Sequence, residues 1–149
     1  MNRSIKLYFD ACCYNRPFDN LQNEKVRLEA EAVLMIQGRI GIESHELYSS
    51  RAVEFELSKT KDISKKMNVL VFYDSVQKTL LDFHDNIEFL ASDYESYNIR
   101  YMDALHIAYC DFNKMDYMLT TDKGLINAAR RVQTLVKVIN PLEFVMEVL

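Results

Sequence analysis

Short β-prone runs alternate with helix-forming segments along the whole chain. The first run, residues 5–9, reads Ile-Lys-Leu-Tyr-Phe and ends abruptly at Asp10. Periodic apolar positions then predict a helix over residues 24–37, and Ser50 is placed to cap the next one. Because parallel strands need long crossover connections, this alternation favours a parallel sheet that is covered by helices on both faces.

The other predicted elements continue the same alternation. Predicted strands cover residues 5–9, 46–49, 87–91, 117–120 and 135–139. Predicted helices cover residues 24–37, 52–57, 63–83 (as one or two helices), 93–97, 102–112 and 125–131, and a terminal helix opens at Asn140-Pro141. Proline suits that position because a first helical turn tolerates it. We therefore predict an α/β fold with three layers, α/β/α, around five parallel strands.

Length and composition favour one folded unit. A chain of 149 residues fits a single domain, and three glycines and two prolines leave no flexible linker. We find no apolar stretch near the roughly 18 residues of a membrane helix. The amino terminus meets Asp10 too early for a secretory signal. Cys12 and Cys13 are adjacent and poorly placed to bridge each other, so we expect a cytoplasmic protein with free thiols.

The charge balance argues against a nucleic-acid-binding protein when it is taken alone. The net charge is −4 and the isoelectric point lies near 5.4, whereas phosphate contacts usually require a basic face. An acidic pocket that holds a divalent metal ion would carry less effective negative charge, however. The basic residues also fall into two groups, which are either solvated helix faces or nucleic-acid contacts. The groups are Lys59, Lys61, Lys65 and Lys66, and Lys123, Arg130 and Arg131.

Four acidic residues fall where a parallel sheet would bring them to one edge. Asp10 closes the first predicted strand and Asp122 follows the fourth. Glu56 lies on the helix after the second strand, and Asp103 opens the helix before the fourth. Ligands bind outside the carboxyl ends of the strands in such sheets. Each acid alone has a simpler role, as a helix N-cap, a turn residue or a solvated helix residue.

Taken together, these four acids predict a metal site. Two carboxylates about 5 Å apart repel by roughly 3 kcal/mol at an effective dielectric constant near 20. A group of three or four therefore needs protons or cations. Hard oxygen ligands without clustered histidines favour Mg²⁺ or Mn²⁺ over zinc. Such an ion activates water and shields the charge on a cleaved phosphodiester.

Four motifs resemble those of PIN domains, in particular the VapC-like toxin ribonucleases, in order and approximate spacing over nearly the whole chain. They read LYFDACCYNRPFD, SSRAVEFELSKT, YMDALHIAYC and YMLTTDKGL. The resemblance implies a five-stranded parallel sheet between helices and an endoribonuclease that uses Mg²⁺ or Mn²⁺. It also implies that Asp10, Glu56, Asp103 and Asp122 form the acidic metal-binding set, with Glu54 as the other register for the glutamate.

The same resemblance implies further contacts. Thr121 stands beside the last acid and is expected to hydrogen-bond that carboxylate or a water on the metal. Toxins of this type pair with a small antitoxin and often form homodimers, so both are expected partners besides the RNA substrate. Independently of the resemblance, Tyr14, Tyr97 and Tyr101 lie beside the proposed site residues, so one of them is a candidate to stack an RNA base, with a place in the core as the alternative.

Other functions compete with the ribonuclease. One alternative is a catalytically silent PIN domain that acts as a binding module, and another is a small phosphohydrolase on a different α/β fold. A zinc site built from His106 and Cys110, with Cys12 and Cys13, is also conceivable but lacks any paired CxxC element. We expect His106 instead to hydrogen-bond beneath the acidic edge, where burial would suit a neutral ring.

Overall fold

The computed structural model describes residues 3–149, which form one five-stranded sheet flanked by eight α-helices. All four strand pairings in this part of the chain are parallel. The predicted α/β fold, a three-layer α/β/α arrangement around a five-stranded parallel sheet, is therefore confirmed. Within the described residues, no helix combines the length and the apolar character that crossing a bilayer requires.

The elements follow one another in the order expected of crossover connections. The strands are β1 (Ile5–Phe9), β2 (His45–Ser49), β3 (Thr79–Leu80), β4 (Tyr117–Leu119) and β5 (Lys137–Ile139). The helices are α1 (Ala11–Asn15), α2 (Glu24–Gln37), α3 (Arg51–Ser58), α4 (Ile63–Ser75), α5 (Asp85–Glu95), α6 (Tyr101–Phe112), α7 (Lys123–Val132) and α8 (Pro141–Val148). A 3₁₀ turn, Arg16–Phe18, follows α1 directly.

The strand order β3-β2-β1-β4-β5 puts β1 at the centre of the sheet. The chain builds outward from β1 on one side and then crosses back to add β4 on the other side. The carboxyl ends of β1 and β4 thus meet where the direction of winding changes, which is where open α/β sheets form their ligand cleft. Phe9 pairs with Leu119, and the Asp10 N–H donates to the Leu119 carbonyl at 2.9 Å.

The central strand is covered on both faces. Leu7, Tyr8 and Phe9 are fully buried, as expected of a strand inside a parallel sheet. Helix α6 is almost equally enclosed, with every residue from Ala104 to Asp111 buried. The buried side chains form one continuous hydrophobic cluster, so the position of α6 against β1 is fixed by packing.

The predicted strand at residues 87–91 is wrong. This segment lies inside α5, a helix that begins after His84 and also absorbs most of the short helix predicted at residues 93–97. Ile87 and Ala91 are buried four residues apart, on the face that packs on the core. The residues Ile-Glu-Phe-Leu-Ala suit a strand locally, but burial at helical spacing decides their conformation.

The third strand comes earlier than predicted. The long segment predicted as helix, residues 63–83, forms α4 and then turns into the two-residue strand β3, which pairs with the end of β2. A strand of two residues has no sequence periodicity by which it could be recognised. Strand β5 begins two residues later than predicted, and the short helix α1 and the 3₁₀ turn were not predicted.

A buried ion pair fixes the segment that follows the first strand. Glu29 of α2 is fully buried and accepts a hydrogen bond from Arg16 Nε at 2.9 Å. Its other oxygen accepts from the Asn140 side chain at the start of α8. Arg16 also bonds Asp19 at 2.9 Å. The Asn-Arg-Pro-Phe-Asp element is thus tied to α2 and α8, which places α1 behind the carboxyl end of β1.

We expect Glu29→Ala to destabilise the protein by about 3 kcal/mol, because it leaves a partly buried guanidinium without its main partner. Urea unfolding followed by circular dichroism measures this loss. The control is Glu31→Ala on the same helix, where the carboxylate is exposed and the change should stay within about 0.5 kcal/mol. Equal losses in the free energy of unfolding for the two variants would mean that the buried ion pair contributes no more to stability than an exposed carboxylate does.

Candidate metal centre

Asp10 stands at the centre of the candidate site because β1 ends there. Its side chain is buried, and it caps α1 by accepting the Ala11 N–H at 2.8 Å on Oδ1. Its second oxygen accepts from Thr120 Oγ1 at 2.8 Å and from the Cys12 thiol at 3.4 Å. These contacts hold the carboxylate in one orientation.

Asp122 reaches the site from the turn between β4 and α7. It is the N-cap of α7, since its Oδ1 accepts the Leu125 N–H at 3.2 Å. Its own N–H donates to Thr120 Oγ1 at 3.1 Å, so Thr120 contacts both Asp10 and Asp122. A Cβ at Gly124 would lie only 3.3 Å from Asp122 Oδ1, so glycine at that position leaves this oxygen uncrowded.

Glu56 and His106 complete a compact group with Asp10. Ser50 caps α3, which directs Glu56 toward α6, and the His106 Nε2–H donates to Glu56 Oε1. The same nitrogen lies 3.7 Å from Asp10 Oδ1. One ligand atom from each of Asp10, Glu56 and His106 fits within a separation of 4.8 Å. Glu54, the other register, instead pairs with Arg51 and with the Tyr73 hydroxyl.

His106 also connects the site to the core. Its Nδ1 lies 2.7 Å from the Tyr8 hydroxyl, which lies 2.7 Å from Ser50 Oγ. Burial lowers the pKa of His106, but its bond to Glu56 and the charge of Asp10 outweigh that effect, so the pKa is raised. Burial favours the neutral ring, as expected, while the carboxylates around it favour the charged form.

Asp103 lies one helical turn before His106 on α6. It is not the N-cap of that helix, a position held by Arg100. Burial and the negative charge of Asp10 raise the pKa of Asp103; the Arg100 guanidinium, 3.4 Å away, opposes this shift and Asp122 adds to it. Asp103 and Asp122 line the same cleft, which has a volume of about 330 Å³.

The structure places the four predicted acids in two groups. Asp10 and Glu56 form the compact group with His106, whereas Asp103 and Asp122 line a cleft, and Asp103 is close enough to Asp10 for that charge to raise its pKa. Thr121 lies elsewhere: it lines a neighbouring cleft, and its N–H contacts Cys12 Sγ at 3.3 Å. The hydroxyl that donates to the Asp10 carboxylate and accepts from the Asp122 N–H belongs to Thr120, which the sequence analysis missed.

The donor set fits a hard divalent cation. Carboxylates supply the charge of the site, and the pKa of Asp103 is raised by its burial and by the negative charges of Asp10 and Asp122. A cation would relieve this repulsion, and oxygen ligands suit Mg²⁺ or Mn²⁺. The sequence analysis expected His106 to hydrogen-bond beneath the acidic edge, and its bond to Glu56 agrees with that expectation. Its spacing of three residues from Asp103 puts both side chains on the same side of α6.

Burial decides between the alternative roles that the sequence suggested for the cysteines and tyrosines. Cys13 and Cys110 are fully buried, and Cys13 contacts the Leu119 carbonyl, so these thiols belong to the core. Tyr14 is also fully buried and cannot stack on a base. Tyr97 and Tyr101 are exposed, although Tyr101 donates to Glu88.

Sequence comparison does not supply an identity for the site. No protein-family model and no curated protein matches the chain. The resemblance to PIN domains therefore rests on the four motifs, and the chemistry has to be inferred from the arrangement of the carboxylates.

We expect Asp103→Asn to stabilise the metal-free protein at pH 7 and to weaken metal binding. The raised pKa means that the Asp103 carboxylate opposes folding, so the amide removes a repulsion. For a domain of this size, each kcal/mol gained corresponds to roughly 2–4 °C in Tm. The gain should shrink as the pH falls through the raised pKa of Asp103, where the wild-type carboxyl becomes neutral. Thermal melts in EDTA and in Mn²⁺ measure both effects.

The control for this measurement is Glu31→Gln, an exposed acid on α2. It should change neither the melting temperature in EDTA nor the shift caused by Mn²⁺. A variant Asp103→Asn that is less stable than the wild type in EDTA would contradict the repulsion.

Proposed function

We propose that this protein is a metal-dependent endoribonuclease with a PIN-like site. Asp10, Glu56, Asp103 and Asp122 would hold Mg²⁺ or Mn²⁺ and hydrolyse RNA phosphodiesters. A bound ion would supply an activated water and shield the charge that develops on the phosphate.

Support comes above all from the position of Asp10. It closes the central strand at the point where the winding of the sheet reverses, and carboxylates from α3, α6 and the β4–α7 turn approach it. A protein without a cation at this site would have to keep mutually repelling groups beside a buried carboxylate, which is unfavourable. That arrangement favours a working metal site over a silent binding module.

The residues around the carboxylates have separate tasks in this proposal. The Ala11 N–H and the Thr120 hydroxyl orient Asp10. His106 orients Glu56, and Tyr8 with Ser50 supports the ring from the other side. His106 is therefore a positioning residue that holds Glu56 toward Asp10. Burial raises the pKa of Tyr8 well above its ordinary value, so its phenol stays protonated.

The choice of RNA follows from the resemblance and is supported by the rim of the cleft. Tyr97 and Tyr101 are exposed close in sequence to Asn98 and Asp103, which line the cleft. Exposed aromatic rings of this kind stack on unpaired bases. By the same resemblance, we expect a homodimer that is controlled by a small antitoxin. We also expect a cytoplasmic location, because the cysteines of this chain are free thiols, as is usual in a reducing compartment.

Asp10→Asn is expected to reduce cleavage of a fluorophore-quencher single-stranded RNA by about 10²-fold or more in Mn²⁺. The amide removes a negative ligand at the centre of the site but keeps the shape of the side chain. Initial rates, with circular dichroism to check the fold, measure this effect.

A matched pair on α3 provides the control. Glu56→Gln should lose activity, whereas Glu54→Gln should retain it, because Glu54 bonds Arg51 and Tyr73 instead. Undiminished cleavage in excess EDTA, or full activity of Asp10→Asn, would rule out the proposed nuclease. Turnover of p-nitrophenyl phosphate without cleavage of RNA would favour the phosphohydrolase.

A further inference from the structure

A second cleft next to the candidate metal centre is lined by three cationic side chains. Lys25 from the first turn of α2, with Lys123 and Arg130 from α7, lines a space of about 270 Å³. Thr121 and Asn127 add polar side chains that can donate hydrogen bonds. Such a lining suits an anionic ligand with several oxygen acceptors.

The cations of this cleft are poorly neutralised by the protein itself. The ion pairs formed within residues 3–149 involve neither Lys25 nor Lys123. Arg130 approaches Glu143 only to 4.0 Å, and the Arg130 side chain is largely accessible to solvent. Three positive groups therefore face one negative group, in a protein whose net charge is −4.

The other basic residues noted in the sequence are placed differently. Arg131 donates to the Tyr97 carbonyl at 2.9 Å, and Lys65 pairs with Asp19. The fold thus separates the members of the second basic group, Lys123, Arg130 and Arg131. Arg131 contacts a loop, while Arg130 and Lys123 turn toward Lys25, a residue nearly a hundred positions earlier that the sequence pattern did not connect with them.

This cleft and the acidic cleft lie next to the same turn after β4. Thr121 lines the basic cleft and its neighbour Asp122 lines the acidic one. The Thr121 N–H also contacts Cys12 Sγ, which in turn contacts Asp10. A chain that crossed this turn would therefore meet acidic residues on one side and basic residues on the other.

We propose that the basic cleft binds the phosphate backbone of single-stranded RNA next to the bond that is cut. The assignment rests on the proposed nuclease function and adds a substrate-binding site to it. A protein with a negative net charge repels RNA overall, so binding requires a local concentration of cations. The basic cleft supplies that concentration beside the acidic centre, where a neighbouring phosphate of the same strand would lie.

The test is RNA binding by fluorescence anisotropy in EDTA, where the absence of metal prevents cleavage. For single strands, each phosphate contact contributes about 0.7 to the slope of log K against log salt. Lys25→Ala/Lys123→Ala should weaken binding about tenfold and reduce the slope by roughly 1.4, which corresponds to two lost contacts. Glu143→Gln should tighten binding, because it removes the negative group of the cleft.

The matched control is Lys61→Ala/Lys66→Ala, which removes the same charge from the other basic group, beyond the end of α3. It should leave binding within twofold of the wild type. Equal weakening of RNA binding by the two double variants would show that only net charge matters, which would contradict the proposed binding role of the cleft. A poly-glutamate peptide that competes as well as RNA would also overturn it.

Cleavage assays on the same variants separate this inference from the proposed function. A double variant Lys25→Ala/Lys123→Ala that binds and cleaves RNA like the wild type refutes the cleft and leaves the nuclease intact. A wild-type protein that binds RNA through the cleft but never cleaves it refutes the nuclease and keeps the binding site. Failure of the wild type to bind RNA refutes the cleft.

Discussion

The candidate metal centre depends on one constraint, the repulsion between carboxylates at the carboxyl ends of β1 and β4. Asp10 is buried there, and the raised pKa of Asp103 reflects its negative neighbours as well as its burial. The rest of the fold keeps these groups in place against their repulsion. Helix α6 is held by its buried face, and α1 is held by the pair between Arg16 and Glu29.

The structure also opposes that repulsion with hydrogen-bond donors. His106 bonds Glu56, and the buried Tyr8 and Ser50 support the ring from behind. Thr120 bonds Asp10 and accepts from the backbone of Asp122. These contacts fix the orientation of Asp10 and Glu56. Because the cluster is pre-oriented, an arriving cation would require little rearrangement of the protein.

Several elements could be predicted because their signals are local. Strand β1 is a continuous apolar run that ends in an acid, and α2 and α6 have clear helical periodicity, so all three were predicted within a residue or so. The segment at residues 87–91 was mistaken for a strand because its composition suits both conformations. Strand β3 was missed because two residues paired to β2 carry no pattern of their own.

The sequence by itself determined the alternation of strands and helices, and therefore which acids follow strand ends. Local pattern named Asp10, Asp103 and Asp122, which follow strands or lie in a first helical turn, whereas the choice of Glu56 over Glu54 came from the resemblance to PIN domains. Only the tertiary structure decided that His106 holds Glu56, that Thr120 bonds the Asp10 carboxylate, and that Lys25 joins Lys123. These are contacts between distant segments, and they depend on strand order and helix packing, which local periodicity does not encode.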